Sequence, residues 1–184
     1  MTNATRLAFC ILLMMLSAAL PANAGQLQDG LAAFKRHDYA TAARHLQSPA
    51  EHGDARAQAV LCYLHTYGRG VPQSYREAAN WCLRAANQGN TESQYMLGLL
   101  YNKGHGVPED FIEAYKWLNL AATRASGPKR EFSYRIRDSV ASKMSPAQLA
   151  KAQALAVAWQ PVLESHGSDL MAGQCTANGK CRNR

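Results

Sequence analysis

The chain has 184 residues, 47% of them hydrophobic and 8% aromatic, and 20 Lys and Arg against 13 Asp and Glu give a formal net charge of +7. This composition excludes a disordered or collagen-like chain, and the length suits one globular domain. No apolar run reaches the roughly 18–20 residues that a membrane-spanning helix needs, so a soluble, mildly basic protein is expected.

Residues 1–24 read as an export signal. Arg6 supplies a positive start, Leu7 to Leu20 form a 14-residue apolar stretch, and Pro21-Ala22-Asn23-Ala24 ends in small residues suited to cleavage. A buried first helix is the competing reading, but the stretch is apolar all round rather than on one face. The mature chain then begins at Gly25, outside the cytoplasm. Cys10 lies inside the apolar stretch rather than after it, so no lipid anchor is expected.

From residue 53 the sequence matches itself at an offset of 36: Gly53 and Gly89, Gln58 and Gln94, Leu61 and Leu97, then Gly68-Arg69-Gly70-Val71-Pro72 and Gly104-His105-Gly106-Val107-Pro108. The register continues through Tyr75 and Phe111, Glu77 and Glu113, Trp81 and Trp117, and Ala85-Ala86 and Ala121-Ala122. Such a period indicates stacked helical hairpins. Asp38, Ser74 and Asp110 begin the second helices. Ser74-x-x-Glu77 and Asp110-x-x-Glu113 have the spacing of capping boxes, in which the acid at the third position reaches back to the cap amide. Residues 25–52 form a degenerate first hairpin without the Gly-x-Gly-Val-Pro turn, and 53–125 hold two full repeats. The Gly-x-Gly element follows a helix rather than a strand, so it reads as a left-handed helix stop rather than a phosphate cradle.

Gly127-Pro128 opens a helix with Phe132, Ile136 and Val140 as its apolar stripe. Ser145-Pro146-Ala147-Gln148 caps an alanine-rich helix ending before Pro161. These helices, residues 126–161, should close the stack, and 162–184 reads as a flexible basic tail.

Cys62, Cys82, Cys175 and Cys181 remain after cleavage, an even number in an exported chain. In an antiparallel hairpin turning near residue 71, position 62 lies across from about 80, so a Cys62–Cys82 bridge is expected, with two buried free thiols as the alternative. Cys175 and Cys181 would close a loop in the tail. The spacings contain no CxxC pair, and neither a metal nor a cofactor is expected.

The run Ala57-Gln58 to Leu61, Gly68-x-Gly70-Val71-Pro72, Tyr75-x-Glu77-Ala78, Trp81 and Ala85-Ala86-x-x-Gly89, repeated at 36, resembles the Sel-one-like repeat, a longer-looped relative of the tetratricopeptide repeat. Arg137-Asp138 through Lys143-Met144-Ser145-Pro146-Ala147-Gln148 to Trp159 resembles the terminal cap of many bacterial members. The resemblance implies an all-α hairpin solenoid and a non-enzymatic adaptor or scaffold, periplasmic or secreted, with no catalytic residues. His65 departs from the pattern, standing where Tyr101 and the family's usual tyrosine stand, and reads as a core or rim histidine rather than a ligand.

Where the two repeats disagree, a partner-binding surface is expected. Arg56/Glu92, Ala59/Tyr95, Tyr63/Leu99 and Thr66/Asn102 recur at spacings of 3, 4 and 3, placing Arg56, Tyr63, Thr66, Glu92, Tyr95, Leu99 and Asn102 on one face that would point into the concave groove and grip a protein or peptide. Packing against the neighbouring hairpin is the other reading, evenly weighted for Leu99. Two further functions compete with this reading. Lys129, Arg130, Arg135, Arg137, Lys143, Lys180, Arg182 and Arg184 form a basic C-terminal region that either binds an acidic envelope polysaccharide or anionic surface, or is simply solvated. Nucleic acid is not expected for an exported chain. Some cysteine-rich relatives are discussed in connection with β-lactams, and Ser126-x-x-Lys129 nominally matches the serine acyl-transfer motif. Gly127-Pro128 inside it and the absence of Ser-Asp-Asn and Lys-Thr-Gly argue against an enzyme.

Overall fold

The computed structural model describes residues 22–162 and 164, all helix and turn among them. Most of the expected signal and the Cys175–Cys181 loop lie outside the described residues. The described residues form eight helices in order: α1 (Ala22–Lys35), α2 (Tyr39–Glu51), α3 (Ala55–Tyr67), α4 (Tyr75–Asn87), α5 (Thr91–Lys103), α6 (Phe111–Arg124), α7 (Pro128–Ala141) and α8 (Pro146–Ala158). Through α6 each helix packs on the next, giving a solenoid of hairpins, whereas α7 and α8 both lie on α6 and close its end.

The second helices start where the sequence places them, with Asp38, Ser74 and Asp110 side chains accepting first-turn amides. The reciprocal half of the expected capping boxes does not form at Ser74 and Asp110. Their amides donate instead to the carbonyls of His65 at 3.0 Å and Tyr101 at 3.1 Å, because the preceding turn folds back onto its own helix. Glu113, released from that duty, accepts from Trp117 Nε1 at 2.9 Å and pairs with Lys116. Among the described residues, only Ser145 and Gln148 make the full reciprocal pair.

The two glycines of each connecting turn have different tasks. Gly68 and Gly104 stop their helices in the left-handed conformation, with φ of 63° and 65°. Gly70 and Gly106 also have positive φ, but there a Cβ would fall on the backbone at Tyr39 or Tyr75, the first residue of the previous hairpin's second helix. The residue between the glycines reinforces this contact: the Arg69 guanidinium lies 5.4 Å from the Tyr39 ring centre and donates to its hydroxyl at 3.0 Å, and His105 stacks on Tyr75 at 4.4 Å. Lys143, in the turn after α7, sits 5.0 Å from the Phe111 ring centre.

Between the helices runs a core of small and branched residues, including Ala57, Leu61, Leu64, Ala78, Leu97 and Ala86, all essentially inaccessible to solvent. Cys62 and Cys82, equally buried, form the disulfide that joins α3 to α4, with Cα atoms 5.0 Å apart. The apolar stripe read for α7 divides: Val140 is buried, but Phe132 is 43% exposed at a surface cleft. The chain beyond α8 also departs from a free tail. Trp159 packs edge-on to Trp117, and Val162 and Glu164, expected in the flexible segment, are hydrogen-bonded to the first full repeat.

Candidate functional site

In α3 and α5 the positions shared by the repeats turn inward: Gln58, Leu61 and Leu64, like Gln94, Leu97 and Leu100, are buried. The opposite side carries most of the positions where the repeats differ. Tyr63 packs edge-on to Phe34 at 5.5 Å and 86°, and its ring centre lies 4.8 Å from that of Tyr67. Arg69 spans this cluster, 5.3 Å from the Tyr63 ring centre and 5.9 Å from that of Tyr67. The Tyr67 hydroxyl then reaches Met96 Sδ of the next repeat at 4.0 Å.

One turn before Met96 the surface opens into a cleft of about 370 Å³, walled by Thr91, Glu92, Tyr95, Pro128, Phe132 and Ser133. The rings of Tyr95 and Phe132 lie 5.9 Å apart across it. Lys129 and Glu92 close its rim with a 2.6 Å ion pair, and the Arg135 guanidinium covers Phe132 at 4.8 Å. Burial, with Tyr67 and Glu92 nearby, raises the Tyr95 pKa, so its phenol stays protonated at neutral pH. The face as a whole is a row of aromatic rings crossing three hairpins, edged by paired charges. Tyr67, 52% exposed, and Phe132 are its most accessible rings. Neutral rings with fixed edges suit recognition of side chains, and among the described residues no group of His, Cys, Asp and Glu is placed to hold a metal ion.

Of the residues expected on this face, Tyr63, Tyr95 and Leu99 are half-buried there and Glu92 forms the rim. Arg56 is exposed but folds back 2.8 Å onto Asp54, the α3 cap. Thr66 and Asn102 are corrected: both are buried. The Thr66 hydroxyl donates to the Cys62 carbonyl at 2.7 Å, and the Asn102 side-chain oxygen accepts from Lys143 at 3.1 Å. A helix inside a stack is covered by the following unit as well as by its own partner, so the exposed strip is narrower than one hairpin implies. Tyr67 was missed, although it too differs between repeats, matching Lys103. Extending the comparison one position beyond Thr66 would have found it. Phe132 was hidden by its fit to an apolar stripe.

The other candidates resolve locally. Ser126 is exposed in the loop before α7 and Lys129 is engaged by Glu92, so no serine–lysine dyad is formed. The described basic residues of the C-terminal region are also occupied: Arg130 donates to the Ala125 carbonyl, Arg137 pairs with Asp138, and Arg135 and Lys143 lie against Phe132 and Phe111. His65 is half-buried, and its Nδ1 has no hydrogen-bond partner.

A family model described as the Sel1 repeat matches residues 55–90 and 91–126. Among solved structures, the chain is similar to a protective antigen of uropathogenic Escherichia coli strains that displays an SLR fold. The identity is 25% and the TM-score 0.67, over 89% of this chain and 35% of that one. It is also similar to a Sel1 repeat protein from Oxalobacter formigenes, at 35% identity and a TM-score of 0.51, over 54% of this chain and 39% of that one. The chain thus spans little more than a third of the length of either. No curated protein matches it.

Proposed function

For a chain built on two Sel1 repeats within an α-hairpin solenoid, we propose the role of a non-enzymatic interaction module that grips a protein or peptide partner along the face of its first helices. The observation that carries this reading is the aromatic row from Tyr67 to Phe132. Large rings are left accessible beside a ready-formed cleft, and the surrounding charges are paired rather than free. Aromatic anchors in such settings supply most of the binding energy at protein interfaces. The module acts outside the cytoplasm, in the periplasm or secreted. The residues 1–24 pattern supports export, and the Cys62–Cys82 bridge fits an oxidising compartment. No helix among the described residues is long and apolar enough to cross a membrane.

The test places a photo-crosslinking amino acid at Tyr67 or Phe132 in the producing cell, with Arg76 on the second helix of the repeat as the control position. Mass spectrometry of the crosslinked envelope fraction should give one protein captured from both Tyr67 and Phe132 and not from Arg76. Capture from Arg76 alone places the partner elsewhere. N-terminal sequencing of the mature chain should begin at Gly25.

A further inference from the structure

The segment after α8 does not leave the body. Trp159 and Pro161 lie against the turn at Gly89, where a Cβ would be 3.8 Å from the Trp159 ring and 3.9 Å from Pro161. Val162 then donates its amide to the Asn87 carbonyl at 2.8 Å, and Glu164 arrives at the equivalent turn one repeat earlier, its Cβ 3.0 Å from where a Gly53 Cβ would stand. The described residues Trp159, Pro161, Val162 and Glu164 thereby touch two successive hairpin turns, on the far side of the repeats from the Gly-x-Gly loops.

At the end of this track is a carboxylate socket. Arg84 donates to Glu164 through Nε to Oε1 at 3.0 Å and Nη2 to Oε2 at 2.6 Å, while Gln58 Nε2 donates to Oε2 at 2.9 Å. Gln58 is completely buried, and its amide is aimed by the Ala50 carbonyl at 3.0 Å and by Gln88, which donates to Gln58 Oε1 at 2.8 Å. The two-pronged arginine and a fixed buried amide recognise a carboxylate by shape as well as charge. The second repeat holds an unfinished copy. Gln94 is equally buried and donates to the Ala86 carbonyl, but its Oε1 has no partner, because Arg124 replaces Gln88 there and lies over Trp159 at 4.3 Å.

We propose that this turn-side track is a second docking site, distinct from the first-helix face. Its ligand is an extended acidic peptide of a partner, held by main-chain bonding at Asn87 and by one carboxylate in the Arg84–Gln58 socket. Trp159, Pro161, Val162 and Glu164 are the resident occupant in cis. A partner peptide gains access by exchanging with them.

The experiment uses the full chain and a fluorescein-labelled peptide of residues 161–166, Pro-Val-Leu-Glu-Ser-His. Glu164→Lys places a cation beside Arg84 and opens the latch without touching Trp159, and Glu164→Ala opens it without adding charge. Both variants should bind the peptide about tenfold more tightly than the unaltered chain, and a peptide with Gln for Glu should lose about tenfold, the loss expected for a charge-assisted hydrogen-bond pair. Adding Arg84→Gln should abolish the difference between the two peptides. Equal binding of the Glu and Gln peptides, or no binding to either folded variant, overturns the proposal. So does loss of helical circular dichroism in both Glu164 variants, which makes the segment an obligatory part of the fold. Dimers of the unaltered chain that dissociate on Glu164→Lys also overturn it, since the occupant would then be a second copy.

Discussion

Gly98 faces Leu118 so closely at the crossing of α5 and α6 that a Cβ on the glycine would lie 2.6 Å from the leucine Cγ. Cys62 and Cys82 hold the same positions one repeat earlier, and Gly30 against Leu46 repeats the 2.6 Å approach at the crossing of α1 and α2. The crossing of each hairpin is therefore a small residue against a large one, and in the middle hairpin a covalent bond takes the place of that fit.

This makes the disulfide replaceable in kind. Reduction of the native protein should lower its stability by about 3 kcal/mol, the loop-closure value for a bridge across some twenty residues. The double variant Cys62→Gly, Cys82→Leu should recover much of the packing, and its thermal midpoint should not respond to reductant. Melts with and without dithiothreitol decide the matter. A midpoint of the native chain that ignores reductant would show the bridge to be absent in solution.

The two turn glycines should separate conformation from collision. At Gly104 an added Cβ meets nothing closer than 3.5 Å, so Gly104→Ala should cost only the left-handed backbone penalty of about 1–2 kcal/mol. Gly106→Ala adds a clash with the Tyr75 backbone, which cannot swing aside, and should cost at least about 3 kcal/mol. Urea titrations of the two variants give the comparison.

On the first-helix face, Tyr67→Ala with Phe132→Ala should weaken partner capture by about 2 kcal/mol and leave the melting temperature nearly unchanged, since both rings are substantially exposed. Tyr63→Ala should behave differently. Its ring packs edge-on to Phe34 and ties α3 to the first hairpin, so that variant should melt earlier.

Glu164 carries a pH signature. Hydrogen bonding from Arg84, then Gln58 against the opposing effect of burial, holds its carboxyl below the usual glutamate range. A depressed native pKa means that the contribution is complete above the unfolded value and is lost as the pH falls through the native one. Protection of the Val162 amide from hydrogen exchange should therefore decline below about pH 4. Glu164→Gln should flatten that decline, and an unchanged profile would show that the carboxylate does not hold the segment.

Much of the architecture was legible because it repeats. The 36-residue offset exposed the hairpins, their caps and the Cys62–Cys82 pairing, since each depends on residues a few positions apart or on one hairpin closure. The burial of Thr66 and Asn102 was not legible, because the neighbours that cover them are not described by a single helix's periodicity. Glu164 was illegible. Its partners, Gln58 and Arg84, are 106 and 80 residues away, and an isolated Glu in a Gly- and Ser-rich stretch carries no local pattern.

The contacts of Gly70 and Gly106 with the start of the preceding second helix join main chain to main chain. The spacing between units is accordingly gauged by atoms that every amino acid possesses, with glycine required on one side alone. Side chains on the exposed strip of the first helices take no part in these main-chain contacts. Residues there can differ from one unit to the next and leave those contacts in place, as Tyr63 and Leu99, or Tyr67 and Lys103, do at equivalent places of the two repeats.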